Sequence, residues 1–201
     1  MAFFKEDDNI EQEEDTILIK TPILGSKISR CMVINGDIVS CESIVVDGRV
    51  NGSVISSKSV VLSRGAIIVG KIKAKKVRVD GILEGPIEAE IIEVTSKAKS
   101  VGYMIANDIV IEGESDGDIL AKNKLLIKKD ANVNTVEAKA KDIKIVGTIA
   151  GNIVATNFLE IATSGLVKGD IKAKEYLKSG GAKVTGTICR YVGRVKEKDE
   201  E

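Results

Sequence analysis

The chain has 201 residues, of which 43% are hydrophobic but only 3% aromatic, so any core must be built from aliphatic side chains. Thirty basic residues balance thirty acidic ones, and the lack of a basic surplus argues against a general nucleic-acid-binding protein. No stretch reaches the roughly 18 consecutive apolar residues of a membrane helix, and no secretory signal is visible.

Residues 1–16 differ in composition from the rest of the chain. Two aromatic side chains near the start, Phe3 and Phe4, are followed by seven carboxylates between Glu6 and Asp15. This acidic composition without any period predicts a disordered tail. Phe3 and Phe4 are a candidate contact with a membrane, although the nearby carboxylates would be repelled by an anionic lipid surface.

From about Ile28 to Ile188 the sequence repeats with a period of about 17 residues. Each copy has a small residue, a second small residue four positions later, an aliphatic residue two positions after that, and another short side chain two positions further on. The second small position marks ten copies, at Gly36, Gly52, Gly70, Gly85, Gly102, Gly117, Asn134, Gly151, Gly169 and Gly186. The aliphatic column contains Ile38, Val54, Ile72, Ile87, Met104, Ile119, Val136, Ile153, Ile171 and Ile188. A fixed period of this length indicates a solenoid.

Inside each copy, apolar and polar residues alternate, which indicates short strands with one buried face. Small residues every five or six positions predict turns, and a return after about 17 residues predicts a three-sided coil. The predicted fold class is therefore all-β, a parallel β-helix of about ten coils. In the seventh copy Asp130 and Asn134 replace both small residues, which predicts a bend or bulge there.

The repeat defines the domain organisation. Residues 17–195 are predicted to form one β-helix domain, between the acidic tail of residues 1–16 and a charged tail of residues 196–201. Three cysteines, Cys31, Cys41 and Cys189, lack metal-type spacing and are expected to be reduced thiols.

Catalysis has little support in the sequence, and we expect no catalytic residue, no metal and no cofactor. The chain has no histidine, which repeat-built acyltransferases normally use as a base. Gly65–Lys71 matches the spacing of a phosphate-binding loop, but Ile72 follows where Ser or Thr is needed. Asp116, Asp118 and Glu114 could supply the carboxylates of a glycan-cleaving site, but they occupy outward positions of the repeat.

The two ends of the stack are the predicted interaction sites. A β-helix exposes unpaired backbone groups and an apolar layer at each end, and no capping helix is predicted here. The residues concerned are Ile17, Ile19, Ile23, Leu24 and Ile28 at the N-terminal end, and Val184, Ile188, Tyr191 and Val192 at the C-terminal end. Uncapped ends favour self-association; the alternative is that the tails fold over them.

Segments such as Ile34–Ile38, Val46–Val54 and Val167–Ala173 resemble the bactofilins, which are polymer-forming bacterial cytoskeletal proteins. The resemblance covers about residues 21–190. It implies a right-handed three-sided β-helix, nucleotide-independent assembly end to end into a homopolymer, and scaffolding of cell-wall or morphogenesis proteins. It also implies a cytoplasmic protein, located at the inner face of the membrane if Phe3 and Phe4 bind lipid. The alternative function is a non-polymerising β-helix that presents a flat face to a cell-wall enzyme or glycan.

Overall fold

The computed structural model describes residues 25–190, which form one continuous rod of β-strands. The strands of this part are β1 (Gly25–Ile28), β2 (Val33–Asn35), β3 (Ile38–Ser40), β4 (Ser43–Val46), β5 (Arg49–Asn51), β6 (Val54–Ser56), β7 (Ser59–Leu62), β8 (Ile67–Val69), β9 (Ile72–Lys73), β10 (Lys76–Val79), β11 (Ile82–Glu84), β12 (Ile87–Glu88), β13 (Ile91–Val94), β14 (Lys99–Val101), β15 (Met104–Ile111), β16 (Glu114–Asp116), β17 (Ile119–Ile127), β18 (Asn132–Ile145), β19 (Thr148–Ile161), β20 (Leu166–Lys168), β21 (Ile171–Lys178), β22 (Lys183–Thr185) and β23 (Ile188–Arg190). Among these residues there is no helix that could cross a membrane.

Every strand pairing is parallel and joins one coil to the next, which gives the rod three faces. Face A is formed by β1, β4, β7, β10, β13 and the C-terminal parts of β15, β17, β18, β19 and β21. Face B is formed by β2, β5, β8, β11, β14, β16, the first residues of β18 and β19, then β20 and β22. Face C is formed by β3, β6, β9, β12, the first residues of β15 and β17, the middle of β18 and β19, the start of β21, and β23.

The chain passes through faces A, B and C ten times, so the prediction of about ten coils is confirmed. Coil 1 is residues 25–40 and coil 10 is residues 175–190. At the ~4.8 Å spacing of paired strands, the stack is roughly 45 Å long. The hand expected from the family resemblance stays a prediction.

The core lies inside the three faces and consists of aliphatic columns. On face A, for example, Val46, Leu62, Val79 and Val94 follow one another in register, and each is fully buried. β-Branched residues suit these positions because their stiff side chains pack well on a pleated surface. The predicted inward orientation of the Ile153 column is confirmed, since Ile153 is fully buried and Asn152 is exposed.

The corner between faces B and C depends on glycine. Gly70 has a φ of 150°, which side chains rarely allow, and a Cβ atom there would lie closer than 3.0 Å to the carbonyl oxygen of Gly52 in the preceding coil. The same arrangement recurs up the rod, because the glycines at this corner are stacked directly on one another. In nine of the ten coils, all but coil 7, the glycine predicted from the sequence is thus favoured by conformation, and above coil 1 it is favoured by stacking as well.

The corner between faces A and B alternates between two forms. Coils 2, 4, 6 and 8 turn with two residues, such as Asp80–Gly81, whereas the odd-numbered coils use a four-residue β-turn, and coil 10 repeats this long form. In the long form a backbone hydrogen bond closes the turn, as from the Ala98 N–H to the Thr95 carbonyl at 2.9 Å. Because coils 4 and 6 have the short corner, only 15 residues separate Gly85 from Gly70, and Gly117 from Gly102, in the repeat.

The structure corrects the predicted register of coil 7. Ala131 and Thr135, rather than Asp130 and Asn134, take the two corner positions, because the turn here is the long form. One further residue, Val136, is then extruded and is 74% exposed, so the aliphatic column continues through Ala138. The predicted bulge is confirmed, and it is held by the Asp118 carboxylate, which accepts hydrogen bonds from the N–H groups of Val136 and Glu137 at 3.2 Å.

Candidate functional site

The open ends of the rod are the candidate site, because each terminal coil pairs on one side only within residues 25–190. At the N-terminal end β1, β2 and β3 pair with coil 2 alone. At the C-terminal end β22, β23 and the last part of β21 pair with coil 9 alone. Rows of unpaired N–H and C=O groups at such edges can accept another strand.

The N-terminal end presents a largely apolar layer. Its inward positions are Ile28, which is 6% exposed, the half-buried Ile34 and Ile38, and two serines, Ser26 and Ser40. These residues follow the columns that coil 2 continues with Ile44, Val46, Val50, Val54 and Ser56.

An ion pair fixes this end. The Lys27 ammonium lies 2.8 Å from the Asp47 carboxylate in coil 2. That hydrogen bond, together with one from the Ser63 hydroxyl, lowers the pKa of Asp47 below its ordinary value. Coil 1 is therefore joined to the rest of the rod by side chains as well as by its strands.

The C-terminal end presents a different layer, with positive charge at its margin. Its inward positions are Tyr176, Lys178, Val184, Ile188 and Arg190. Tyr176 is 54% exposed, whereas Leu159 directly before it in the same column is fully buried. The last coil thus ends two aliphatic columns with cations, which have no counterpart at the other end.

A depression of about 570 Å³ opens at the C-terminal end. It lies at the corner of faces C and A, and its apolar lining includes Phe158, Tyr176, Leu177 and Ile188. Exposed apolar surface of this kind at the end of a stack is suited to contact with another apolar layer.

The structure locates only some of the residues predicted for the ends. Ile28 lies in the terminal layer of coil 1, and Val184 and Ile188 lie half-buried in the terminal layer of coil 10. The other predicted residues, Ile17, Ile19, Ile23, Leu24, Tyr191 and Val192, and the candidate membrane contact Phe3 and Phe4, lie outside the described residues. The boundaries of the predicted tails lie outside them as well.

Sequence reasoning missed Tyr176 and Lys178 as members of the C-terminal layer. The signal for them was present, because 17 residues separate Lys178 from Ile161, its partner in the preceding coil. Continuing the face A column by one period would have placed Lys178 at an inward position.

All three cysteines lie in the terminal coils or next to them, and all are exposed. Cys31 and Cys41 are at the N-terminal end, and Cys189 is at the C-terminal end. This placement makes them native chemical probes of both ends.

The candidate catalytic groups have structural roles. Asp118 binds backbone N–H groups of coil 7, and the Asp116 carboxylate accepts a hydrogen bond from the Asn134 side chain at 3.4 Å. The Gly65–Lys71 segment runs from a long turn through β8 to the corner at Gly70, so it is not the strand–loop–helix unit of a phosphate-binding loop. No group of three metal-ligating side chains is found among residues 25–190.

Comparison with known proteins adds an independent finding. The family model for bactofilin, described as polymer-forming cytoskeletal, matches the chain twice, over residues 26–112 and 102–189. Bactofilin BacO of Myxococcus xanthus (strain DK1622) is 35% identical over 81 residues, which cover 40% of this chain and 64% of that protein. The match therefore spans just under two thirds of the relative's length. No solved structure matches the chain.

Proposed function

The chain belongs to the bactofilin family of polymer-forming cytoskeletal proteins, and from this premise we propose that the rod is a subunit that assembles end to end without nucleotide. The resulting filament would scaffold cell-shape or cell-wall proteins. The observation that supports this proposal is the pair of open ends, each with three strand edges unpaired within residues 25–190.

The contact between two subunits stacked end to end would resemble, in its free energy, the contact between two neighbouring coils of one rod. Neighbouring coils are joined by three short parallel ladders, on the order of ten backbone hydrogen bonds that each contribute about 0.5–1.5 kcal/mol. Burial of the exposed apolar layers at both ends would add about 25 cal/mol per Å². These gains oppose the roughly 4–15 kcal/mol lost in association, so a stable junction needs all three faces to engage.

Polymer formation is tested by electron microscopy and sedimentation of the purified chain. We expect filaments of rods stacked along their long axis, in the same yield with and without ATP or GTP. A strict requirement for nucleotide, or discrete particles at every concentration, would contradict the proposal. The second outcome would favour the alternative, a non-polymerising module that binds a cell-wall enzyme or glycan.

Two isoleucines of one column provide a matched test of the end contact. Ile119 lies mid-stack and is 2% exposed, whereas Ile188 ends the same column and is half-buried. Ile188→Lys should block pelleting and leave the circular dichroism spectrum unchanged, because the charge stays in water in the isolated subunit. Ile119→Lys should unfold the chain. Filaments formed by Ile188→Lys at parental yield would show that lateral contacts drive assembly.

The native cysteines report which ends meet. With a short bismaleimide, contact between two C-terminal ends should give a Cys189–Cys189 link, and head-to-tail contact should give Cys189 linked to Cys31 or Cys41. Contact between two N-terminal ends should give only links among Cys31 and Cys41. Filaments that yield none of these links would refute end-to-end contact.

The remaining predicted residues and partners belong to the same proposal. Ile17, Ile19, Ile23 and Leu24 would extend the N-terminal contact, and Tyr191 and Val192 the C-terminal one. We also propose a cytoplasmic location, with Phe3 and Phe4 as a weak contact with the inner face of the membrane. Flotation with vesicles tests this contact: replacement of both phenylalanines by serine should reduce recovery in the vesicle fraction.

A further inference from the structure

A strip of lysines runs along face C in the C-terminal half of the rod, beside the edge shared with face A. We call it the lysine strip and define it as Lys122, Lys139, Lys141, Lys172 and Lys174. In the β-ladder Lys139 and Lys172 lie on either side of Val154, in one outward column of coils 7, 8 and 9. Lys122, Lys141 and Lys174 follow the inward alanines at the ends of coils 6, 7 and 9.

The lysine strip is exposed, and none of its ammonium groups forms an ion pair with another residue between 25 and 190. The N-terminal half of face C is different. There Lys71 and Lys73 lie 2.8 and 3.2 Å from the carboxylate of Glu88. One half of the face is thus neutralised by its own side chains, and the other half is not.

The acidic side chains near the lysine strip are largely engaged elsewhere. Asp118 and Asp170, at the opposite margin of face C, accept hydrogen bonds from backbone N–H groups of the next coil. Asp142, on the face A side, accepts a 2.6 Å hydrogen bond from the Asn157 side chain. Glu137 and Glu175 remain as exposed charges. The lysine strip therefore places five cations, at spacings of one to three strands, along this edge without an ion-pair partner between residues 25 and 190.

The charge of the whole chain is divided in a complementary way. Residues 25–190 contain 25 basic and 19 acidic side chains, a surplus of six positive charges. Residues 6–15 contain seven acidic side chains and no basic one. The net charge of zero over 201 residues therefore conceals a positive body and a negative segment.

The position at which residues 1–24 join the rod also allows the acidic residues 6–15 to reach the lysine strip. Gly25 begins face A of coil 1, so residues 1–24 join the body at the edge between faces C and A, where the lysine strip lies. The nine residues 16–24 can span at most ~30 Å, and five coils separate coil 1 from coil 6, about 24 Å. Ten extended residues can span ~33 Å, more than the roughly 14 Å from coil 6 to coil 9, over which the lysine strip extends.

We propose that the acidic segment of residues 6–15 binds the lysine strip, in the same subunit or in an adjacent one. Ammonium–carboxylate pairs on an exposed surface are individually weak, so the contact would depend on several pairs forming together. It would therefore weaken steeply as ionic strength rises above about 0.1 M, where the Debye length falls to ~10 Å. The inference does not rest on end-to-end assembly, and the assembly variant Ile188→Lys leaves every group of the contact in place.

The test is zero-length carbodiimide cross-linking of the full-length chain at low salt, followed by peptide mass spectrometry. Cross-links from residues 6–15 should concentrate on Lys139, Lys141, Lys172 and Lys174 and should fall at least fivefold between 50 mM and 500 mM NaCl. A mixture of ¹⁴N and ¹⁵N chains identifies whether each link lies within one subunit or between two; either origin agrees with the inference.

A matched pair of variants controls for net charge. In the strip variant, Lys139, Lys141, Lys172 and Lys174 are replaced by Gln. In the control variant, four exposed lysines away from face C, namely Lys97, Lys129, Lys168 and Lys183, are replaced by Gln. Links from the acidic segment to the remaining strip residue Lys122 should fall at least threefold in the strip variant and stay at the parental level in the control.

Three results would overturn the proposal. The first is an even distribution of cross-links from residues 6–15 over all exposed lysines. The second is an equal loss in the two variants. The third is the absence of cross-links together with binding to phosphatidylserine vesicles that only the strip variant loses, because the lysine strip would then serve an anionic lipid surface.

Discussion

The stacked glycines at the corner of faces B and C allow conformational strain to be separated from steric collision. Gly70 and Gly36 have similar dihedral angles, with φ of 150° and 140°. They differ in their neighbours, because a Cβ atom at Gly70 would meet the Gly52 backbone closer than 3.0 Å, whereas one at Gly36 meets nothing within 4 Å. The pair therefore offers the same substitution with and without a coil beneath it.

We expect Gly36→Ala to reduce the free energy of unfolding by about 1–3 kcal/mol, the cost of a residue held in a region of φ that suits glycine. Gly70→Ala carries the same cost and must also displace a carbonyl of the preceding coil. Overpacking of this kind costs about 1–3 kcal/mol. The displaced backbone also strains the neighbouring 2.9 Å hydrogen bond from the Gly52 N–H to the Val69 carbonyl, worth about 1 kcal/mol. The total for Gly70→Ala is therefore roughly 3–7 kcal/mol.

Thermal and denaturant unfolding of the two variants, followed by circular dichroism, measures the difference. Gly70→Ala should be the less stable variant by about 2–4 kcal/mol, the sum of the collision and hydrogen-bond costs. Equal losses would show that the glycines are kept for their dihedral angles alone and that the rod relaxes around an added methyl group. A similar argument predicts that Gly36→Ala impairs assembly if another subunit stacks directly on coil 1.

Three further predictions address the core, an outer carboxyl group and the length of the rod. Ile153→Lys should abolish the cooperative melt because it buries a charge in a fully enclosed column, whereas Asn152→Lys, one residue away and exposed, should shift the melt very little; comparable losses would refute the inward and outward assignment. The Glu93 side chain is 12% exposed, and its carboxylate lies 3.7 Å from the Arg78 guanidinium. Burial raises the pKa of Glu93 above its ordinary value, so the folded state holds this proton more tightly than the unfolded state does. The free energy of unfolding should therefore fall as the pH rises from the ordinary pKa of a glutamate to the raised pKa of Glu93. Melts of Glu93→Gln should accordingly show a gain over the parent at pH 7 that disappears at pH 4, and a gain independent of pH would contradict the assignment. Electron microscopy of single rods should show a body roughly 45 Å long, and a length that implies fewer than eight coils would contradict the register.

The sequence predicted most of the fold because its signal repeats. Nine of the ten copies place their aliphatic residue in the inward column, so the error at Val136 did not disturb the predicted architecture. Coil 7 shows where the pattern fails: Asp130 and Ala131 are both short, Thr135 replaces a glycine, and periodicity alone cannot say which residue turns the corner. The extrusion of Val136 is set by the pairing of coil 7 with coils 6 and 8, so it can be recognised only from the strand register.

The candidate site was less accessible to sequence reasoning than the fold. Ile28, Val184 and Ile188 could be placed in terminal layers by extending the columns to their last members. Tyr176 and Lys178 could not be recognised from residue type, because neither resembles the aliphatic residues whose column they end. The lysine strip could not be found either, because its members are separated by up to 52 positions, from Lys122 to Lys174, and are brought together by the ladder.

The alternation of short and long corners has a consequence for how such a rod can change in length. Ser43 begins coil 2 and Lys76 begins coil 4, 33 residues later, and the corner form recurs only after this interval. Within coils 1–9, a duplication or deletion of one coil would bring two corners of the same form together, as already occurs at coils 9 and 10, whereas a change of two coils would keep the order. Over coils 1–9 the structural repeat is therefore a pair of coils, and each pair adds ~9.6 Å to the length of the rod.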